Sequence, residues 1–277
     1  MQALLPTLSF KKRQVAEYFI ANPEQVAFTS LRKTALMARA STSIVMKLLN
    51  DLGYDSYDLF KGDFQRWVAE RHTYFSGKAE VATKSASTAD SLLAKVADND
   101  IENIRRTLRA TSESVLQDAA RAVLTAKHVY ILGLRINSSV AFYLAYQIGF
   151  IRENVILVGN TADTLFDTIS DINKYDVLIA VSYYPYNSAT AAAVRHAASK
   201  GATIVAMTDR HSAPIAVKEA KTLYFTVDSS LLFNSITASL FLAQGLVAET
   251  LALSGEKGLK RVNERERLLY ASGIFEK

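Results

Sequence analysis

The chain has 277 residues, with 32 Lys and Arg against 27 Asp and Glu, 49% hydrophobic residues and no cysteine. That length holds one large or two ordinary domains with ample apolar content for a core, and the missing thiols exclude disulfides, thiolate metal sites and a Cys nucleophile. The opening MQALLPTLSFKKRQ has no apolar stretch behind a basic start, and no apolar run approaches the roughly 18 residues of a membrane span, so a cytoplasmic protein with no membrane partner is expected.

The charge is unevenly placed. Residues 1–50 carry Lys11, Lys12, Arg13, Arg32, Lys33, Arg39 and Lys47 against Glu17 and Glu24, whereas residues 51–277 carry 25 basic and 25 acidic side chains. A basic excess confined to one small module is the electrostatic footprint of nucleic-acid binding.

Residues 1–75 have an all-helical pattern. Ser9 stands where it can cap a helix whose apolar face includes Val15, Phe19 and Ile20, and Asn22-Pro23 ends it. A short turn of helix from Glu24 to Phe28 follows, then a helix from Leu31 to Ala38 capped by Ser30. Arg39-Ala40-Ser41 forms a three-residue bend, with Ser41 as the cap of the next helix, Thr42 to Leu52. That helix buries Val45, Leu48 and Leu52, and Gly53 takes the left-handed position beyond its end. A further helix from Ser56 to Arg71 carries Leu59, Phe60, Phe64 and Trp67 toward the same core.

Two short helices joined by a tight bend, the second capped by Ser and stopped by Gly, form the helix-turn-helix pattern. The second helix then enters the major groove of double-stranded DNA by its N-terminal end. Starting from Ser41, it turns Thr42, Ser43 and Met46 to the bases and sets Lys47, Arg39 and Lys33 near phosphates. An ordinary helical bundle without a ligand is the alternative, and spacing, caps and charge together favour DNA.

Residues 76–127 read as a small polar linker or frayed helix (76–91) followed by connecting helices. Leu92, Leu93, Val96, Ile101, Ile104 and Leu108 repeat at helical spacing, and a second helix spans Ser114 to Thr125. These are expected to pack on the second domain or on a partner subunit.

From 128 to 255, short β-branched runs at Val129–Leu132, Val155–Val158, Val177–Val181, Thr203–Met207 and Thr222–Val227 alternate with helices near 138–150, 163–170, 188–200 and 213–220 and a long one from about Leu231 to Leu253. Residues 256–277 form a helical tail. Strand–helix alternation with continuous apolar strands implies a five-stranded parallel sheet covered on both faces, so the fold class is α + α/β: an all-helical N-terminal domain followed by an α/β/α domain. Ligands of such sheets sit at the carboxyl ends of the strands near the switch point. There Gly133, Arg135, Asn137, Ser138 and Ser139 form a strand–turn–helix start with donors and a fixed charge, the expected floor of an anion-binding crevice. The turn after the third strand adds Ser182, Tyr183, Tyr184, Pro185, Tyr186, Asn187 and Ser188, with a second helix N-terminus. The alternatives are a plain capped βα unit, an ion pair from Arg135 to Asp163 or Asp167, and tyrosines serving as a lid or a dimer contact. Gly133-Leu134-Arg135 is not the dinucleotide fingerprint, and no cofactor or metal site is expected.

The run LSFKKRQVAEYFIANPEQVAFTS…ASTSIVMKLLNDLGYDSYDLFK resembles the N-terminal domain of the RpiR family of sugar-responsive bacterial transcription regulators. GLRINSS at 133–139, DVLIAVSYYPYNSAT at 176–190 and KGATIVAMTD at 200–209 resemble the SIS (sugar isomerase) domain, flavodoxin-like in fold, that follows it in that family. The resemblance implies a homodimer or homotetramer on a palindromic operator, with Ser/Thr hydroxyls of the two turns holding a sugar phosphate; Ser182 retains one. Departures are Arg39 for the usual turn glycine, Thr34 for a core Leu, Ile44 for a recognition-helix Thr and Lys47 for Arg. In the SIS domain, Arg135 and Asn137 replace Gly and Ser, while Tyr184-Pro185 and Asn187 replace Ser-Gly and Thr. A regulator subgroup with Arg in the first turn and Pro-Tyr in the second is more similar, and Arg suits a bidentate grip on phosphate or carboxylate. The implied effector is an anionic sugar or sugar-derived metabolite, a phosphosugar or sugar acid.

An SIS-type phosphosugar isomerase is the alternative from another class. It needs a base, for which His196, His211 and Glu249 are candidates, while His72 and His128 fall outside the crevice. No catalytic residue is assigned, because a plain isomerase has no need of a basic helix-turn-helix. A third alternative, motivated by Arg39 and Ile44, is a sugar-derivative sensor whose DNA-binding module has decayed.

Overall fold

In the computed structural model, which describes Leu5 and residues 8–86, 91–159, 164–229 and 233–275, the chain divides into two units, Met1–Ser87 and Thr88–Lys277. The first contains α1 (Phe10–Ala21), α2 (Pro23–Phe28), α3 (Leu31–Met37), α4 (Thr42–Asp51) and α5 (Tyr57–Ala86). Its core gathers Val15, Phe19, Val45, Leu48, Leu49 and Phe60, with the rings of Phe19, Phe60 and Phe64 stacked in series at 5.4 and 4.9 Å. Thr34, fully buried at an otherwise apolar position, is satisfied by the Tyr57 hydroxyl at 2.7 Å.

Three expectations change here. Ser9 occupies the N-cap position of α1, but its side chain makes no capping bond. Leu59 points outward at 61% exposure while Phe60 and Phe64 turn inward; the Trp67 side chain lies outside the described residues. The helix expected to stop at Arg71 continues to Ala86, because the small polar stretch 76–86 contains no proline and only one glycine to stop it.

The second unit is built on a parallel sheet of β1 (Val129–Gly133), β2 (Val155–Leu157), β3 (Val177–Val181), β4 (Thr203–Thr208) and β5 (Lys221–Tyr224), in the order β2-β1-β3-β4-β5. β1 and β3 pair from Val129↔Val177 to Gly133↔Val181. Alternate residues of each strand face opposite layers. Val129, Ile131, Val177, Ile179, Val205 and Met207 form one core with α7 (Glu113–Thr125), α8 (Ser138–Ile151) and α11 (Thr237–Ala271). Tyr130, Leu132, Leu178, Ala180, Ile204 and Ala206 form the other with α9 (Leu165–Thr168) and α10 (Ser188–Ser199). The five-stranded α/β/α sandwich expected from the sequence is therefore present.

The expected helix at 213–220 is a series of turns, in which Ala216 N–H donates to the Ala213 carbonyl and Ala220 N–H to that of Val217. Pro214 supplies no donor there, and Ile215 is buried in the core instead. α11 runs to Ala271, broken only at Gly255, whose φ of 56° and ψ of −144° are not helical; the first residues of the expected helix, Leu231 and Leu232, lie outside the described residues. α11 is long and apolar enough to cross a membrane by length and composition alone. Its Ala238, Leu242, Ala243 and Leu246 are buried in the sheet's core, which accounts for that character.

Of the two packings expected for α6 (Leu92–Ala110), its apolar residues do not take the one against the second unit. The helix buries Asn103 and Thr107 and exposes Leu92, Leu93, Ile101 and Leu108.

Candidate functional site

The candidate residues fall on two surfaces, one in each unit. In the first, Ser30 Oγ accepts from Lys33 N–H and Ser41 Oγ accepts from Ile44 N–H at 3.4 Å, fixing the starts of α3 and α4. The bend between them is a Schellman turn: Ala40 N–H donates to the Ala35 carbonyl at 2.9 Å and Arg39 N–H to that of Leu36 at 3.1 Å. Arg39 takes the left-handed position, with φ of 53°. Gly53 plays the same part after α4, its φ being 87°. Ser41, Thr42, Ser43 and Lys47 are exposed on α4, and Lys33 and Arg39 are exposed just before it. Among the described residues these three cations make no ion pair, whereas Lys12 is held by Asp51. Met46 and Ile44 are half-buried against the core, while Thr42 and Ser43 are exposed at the start of α4.

The second surface lies at the carboxyl ends of β1 and β3, where the order 2-1-3 reverses direction and opens a crevice. Gly133 is required there by close approach, since a Cβ would sit 2.3 Å from the Asn137 carbonyl oxygen and 3.1 Å from Ala141 Cβ. The chain then makes a 3₁₀ turn, Arg135–Asn137, before α8. Arg135 enters it with φ of 57° and an exposed side chain. Among the described residues Arg135 makes no ion pair; Asp167 is not its partner, and Asp163 lies outside them.

The helix starts are less open to an anion than expected. In the first turn, Ser138 N–H donates to the Arg135 carbonyl, and the Ser138 hydroxyl donates to the same oxygen at 2.6 Å. In the second, Asn187 Oδ1 accepts from Ala189 N–H at 2.9 Å and Thr190 N–H at 3.3 Å, so Asn187 caps α10 itself. Ser188 is exposed in the first turn of α10. What the crevice does offer is unpaired polarity. Asn137 Oδ1, Ser182 Oγ and Thr190 Oγ1 are buried with no hydrogen-bond partner, in residues only 6%, 1% and 0% exposed. Buried polar groups are nearly always paired in native proteins, and these three lie on the β1 turn, the β3 turn and the first turn of α10.

The backbone of Ser182 is pinned while its hydroxyl stays free: Ser182 N–H donates to the Met207 carbonyl at 3.1 Å, and Thr208 Oγ1 donates to the Ser182 carbonyl at 2.6 Å. Beyond it, the Tyr186 hydroxyl donates to Asp209 Oδ1 at 2.8 Å, and Asp209 Oδ2 pairs with Arg210 Nε at 3.0 Å. The Arg210 guanidinium lies 5.3 Å from the centre of the Tyr184 ring, and Asn234 Nδ2 donates to the Tyr184 carbonyl at 3.0 Å. Burial, reinforced by the Asp209 carboxylate, holds the Tyr186 phenol far above the ordinary tyrosine range, and the same two causes push Tyr183 up to about 12. Tyr183 is no lid: it is buried edge-on to Phe225 at 6.1 Å.

Thr190, Asp209, Arg210 and Asn234 escaped the sequence reading. Asp209 was legible in principle as the first residue beyond the carboxyl end of β4. His211 packs on Tyr224, and His196 sits edge-on to Phe166 with its Nε2 buried and unpartnered, six residues beyond Thr190 along α10. His128 is bonded to the buried Asp176 at 2.9 Å at the opposite end of the sheet, beside a polar groove of about 700 Å³ lined by Lys127, Lys174 and Lys221.

Residues 123–249 match the SIS domain family. The chain is 22% identical to the HTH-type transcriptional regulator YbbH of Bacillus subtilis, covering 91% of this chain and 88% of that one. It is 24% identical to the HTH-type transcriptional regulator HexR of Pseudomonas aeruginosa, over 75% and 71%. The sugar isomerase domain of the RpiR transcription factor from Sphaerobacter thermophilus superposes with a TM-score of 0.60 at 27% identity, covering 64% of this chain and 98% of that one. Vibrio vulnificus NanR, complexed with ManNAc-6P, shares the fold at a TM-score of 0.60 and 18% identity over 100% and 98%. A helical unit of helix-turn-helix form ahead of a SIS domain defines a transcription regulator. The chain is similar to RpiR-type regulators in its SIS domain and, over most of its length, to HTH-type transcriptional regulators.

Proposed function

We propose that the crevice between the β1 and β3 turns binds an anionic sugar-derived metabolite, a phosphosugar or sugar acid, and that this binding changes how the helix-turn-helix units of a dimer or tetramer hold a palindromic operator. In this reading residues 1–75 bind DNA, 128–255 hold the effector, and the protein works in the cytoplasm as a regulator with no reaction of its own. The observation that carries the effector reading is the set of three buried, unpartnered polar atoms on Asn137, Ser182 and Thr190. Leaving such groups unmade costs about 1–3 kcal/mol each, and a polyhydroxy ligand repays that cost by pairing with them.

The placement of charge orients that ligand. The floor is neutral, its helix N–H groups are largely taken by Asn187 and by the 3₁₀ turn, and the Asp209 carboxylate lies beside it. Arg135, exposed and without an ion pair among the described residues, stands at the rim. Hydroxyls therefore go to the floor and the acid group to Arg135. The presence of ManNAc-6P on NanR supports this class of ligand. Coupling to DNA requires that the metabolite bind the DNA-holding and DNA-releasing states with different affinity.

The test is a fluorescence-anisotropy titration of the full chain with fragments from around its own gene, at two salt concentrations, with and without phosphosugars and sugar acids. Tight binding to one fragment, weakened by salt and altered by one metabolite, is expected. Lys47→Ala weakens all sequences alike, whereas Ser43→Ala changes the preference among them. Absence of DNA binding at low salt overturns the operator assignment, and a metabolite response unchanged in Arg135→Ala and Ser182→Ala overturns the crevice.

A further inference from the structure

α6 is a strongly amphipathic helix whose polar side faces inward. Asn103 Nδ2 donates to the Asp228 carbonyl at 2.7 Å, Thr107 Oγ1 accepts from Thr226 N–H at 2.9 Å, and Thr237 Oγ1 donates to Asp100 Oδ2 at 2.7 Å. Arg106 is tied to Asp228 as well. These bonds lock the helix by its polar face to the segment that links β5 to α11. Its outward face therefore carries Ala94, Ala97, Ile101, Ile104 and Leu108, spaced 3, 4, 3 and 4 residues apart, with Ile101 46% and Leu108 59% exposed. That spacing is an a/d seam two heptads long, the pattern by which one helix packs along another.

The charges beside the seam name the partner. On one flank lie Asp98, Glu102, Arg105 and Arg109, acidic toward the N-terminus and basic toward the C-terminus. All four are exposed, and among the described residues none makes an ion pair. Laid antiparallel on a copy of itself with Asp98 opposite Arg105, the column pairs acid with base at both symmetry-related ends, while a parallel in-register copy sets like against like. An antiparallel arrangement is also what a two-fold axis across a single helix demands. We propose that α6 is a homodimerisation helix, pairing antiparallel with the α6 of a second copy of this chain through the Ile101–Ile104–Leu108 seam and the Asp98–Arg105 flank. This goes beyond the effector reading and does not depend on it.

The test is the molar mass of the full chain by sedimentation equilibrium across a dilution series. The wild type is expected to dimerise. Asp98→Arg and Arg105→Asp each place like charges together and are expected to weaken dimerisation by roughly tenfold or more, and the double swap restores it. Ile101→Arg is expected to give a monomer with unchanged helical content, since that side chain points away from the unit's core. The cysteine-free chain permits a second measurement. Positions 98 and 105 lie about 10.5 Å apart on one helix, too far for a bond within a chain, so the Asp98→Cys/Arg105→Cys variant is expected to oxidise to a doubly bridged dimer faster than either single cysteine variant gives a dimer. A wild type that stays monomeric overturns the proposal. So do single swaps that leave the mass unchanged, the result expected if another segment of the same chain covers this face, and a double swap that fails to restore the dimer. No loss of metabolite response bears on it, so its failure is separable from that of the crevice.

Discussion

Arg39 and Arg135 share one backbone conformation: φ is 53° at the bend that delivers α4 and 57° at the turn that delivers α8. Left-handed backbone costs a side-chain-bearing residue about 1–2 kcal/mol, and glycine is the ordinary occupant. Both positions thus carry a guanidinium where relaxed geometry favours no side chain. Strain held at such sites is characteristic of functional turns. Arg39→Gly is expected to raise thermal stability by up to about 1 kcal/mol. In the same variant the slope of log affinity for DNA against log salt falls by about one. Melting curves and a salt titration check the two halves separately.

Gly133→Ala probes the other turn from the inside. The added methyl meets the Asn137 carbonyl oxygen at 2.3 Å and its carbon at 2.8 Å, and backbone cannot step aside as a flexible side chain can. A loss of about 1–3 kcal/mol is expected from overpacking, together with a displaced Asn137 and a blunted metabolite response. Denaturant titration and the anisotropy assay measure these, and a variant as stable as the wild type contradicts the close approach.

Thr190→Val and Ser182→Ala are expected to separate stability from binding. Each removes a buried hydroxyl that has no partner in the ligand-free protein, so the free protein keeps its melting temperature or gains a few degrees. Ligand-induced stabilisation falls instead. If either variant is destabilised by more than about 1 kcal/mol while still responding fully to ligand, its hydroxyl serves the fold rather than the crevice.

Tyr183 predicts an alkaline limit. Burial, with the Asp209 carboxylate adding to it, moves the phenol from 10.0 to about 12. Above pH 10 the unfolded chain has released this proton while the folded one retains it, so stability is level below pH 10 and declines from there to about pH 12. The decline is on the order of 2 kcal/mol for this group. Tyr183→Phe is expected to remove that share of the decline, read from unfolding curves between pH 9 and 11.5.

Much of this architecture was legible because local signals and tertiary packing agree. The continuous apolar runs of β1, β3 and β4 admit only a doubly covered sheet, and Ser41 and Gly53 bracket α4 by cap chemistry alone. Other features were not legible because their cause is a partner distant in sequence. Leu93, Ile101 and Leu108 look like a core face, and only the bonds of Asn103 and Thr107 to the Asp228 segment show that the helix is turned the other way. Met46 and Ile44 have one face on the core and one outward, a division that depends on how α4 is seated against α1. Asp209 and Thr190 join the crevice through β4 and α10, whose placement beside the turn depends on strand order. At 213–220 the helical spacing was real, but Pro214 and the burial of Ile215 overrode it.

Asn187 gives its turn a built-in competitor. Its carboxamide oxygen already sits on the Ala189 and Thr190 N–H groups, and a tethered group acts at an effective concentration of about millimolar or more. A dissolved phosphate must displace that resident oxygen before it can touch the Ala189 and Thr190 N–H groups at the end of α10. The end of α10 is thus capped from within the chain, so an anion reaching it competes with the Asn187 carboxamide rather than meeting open N–H groups.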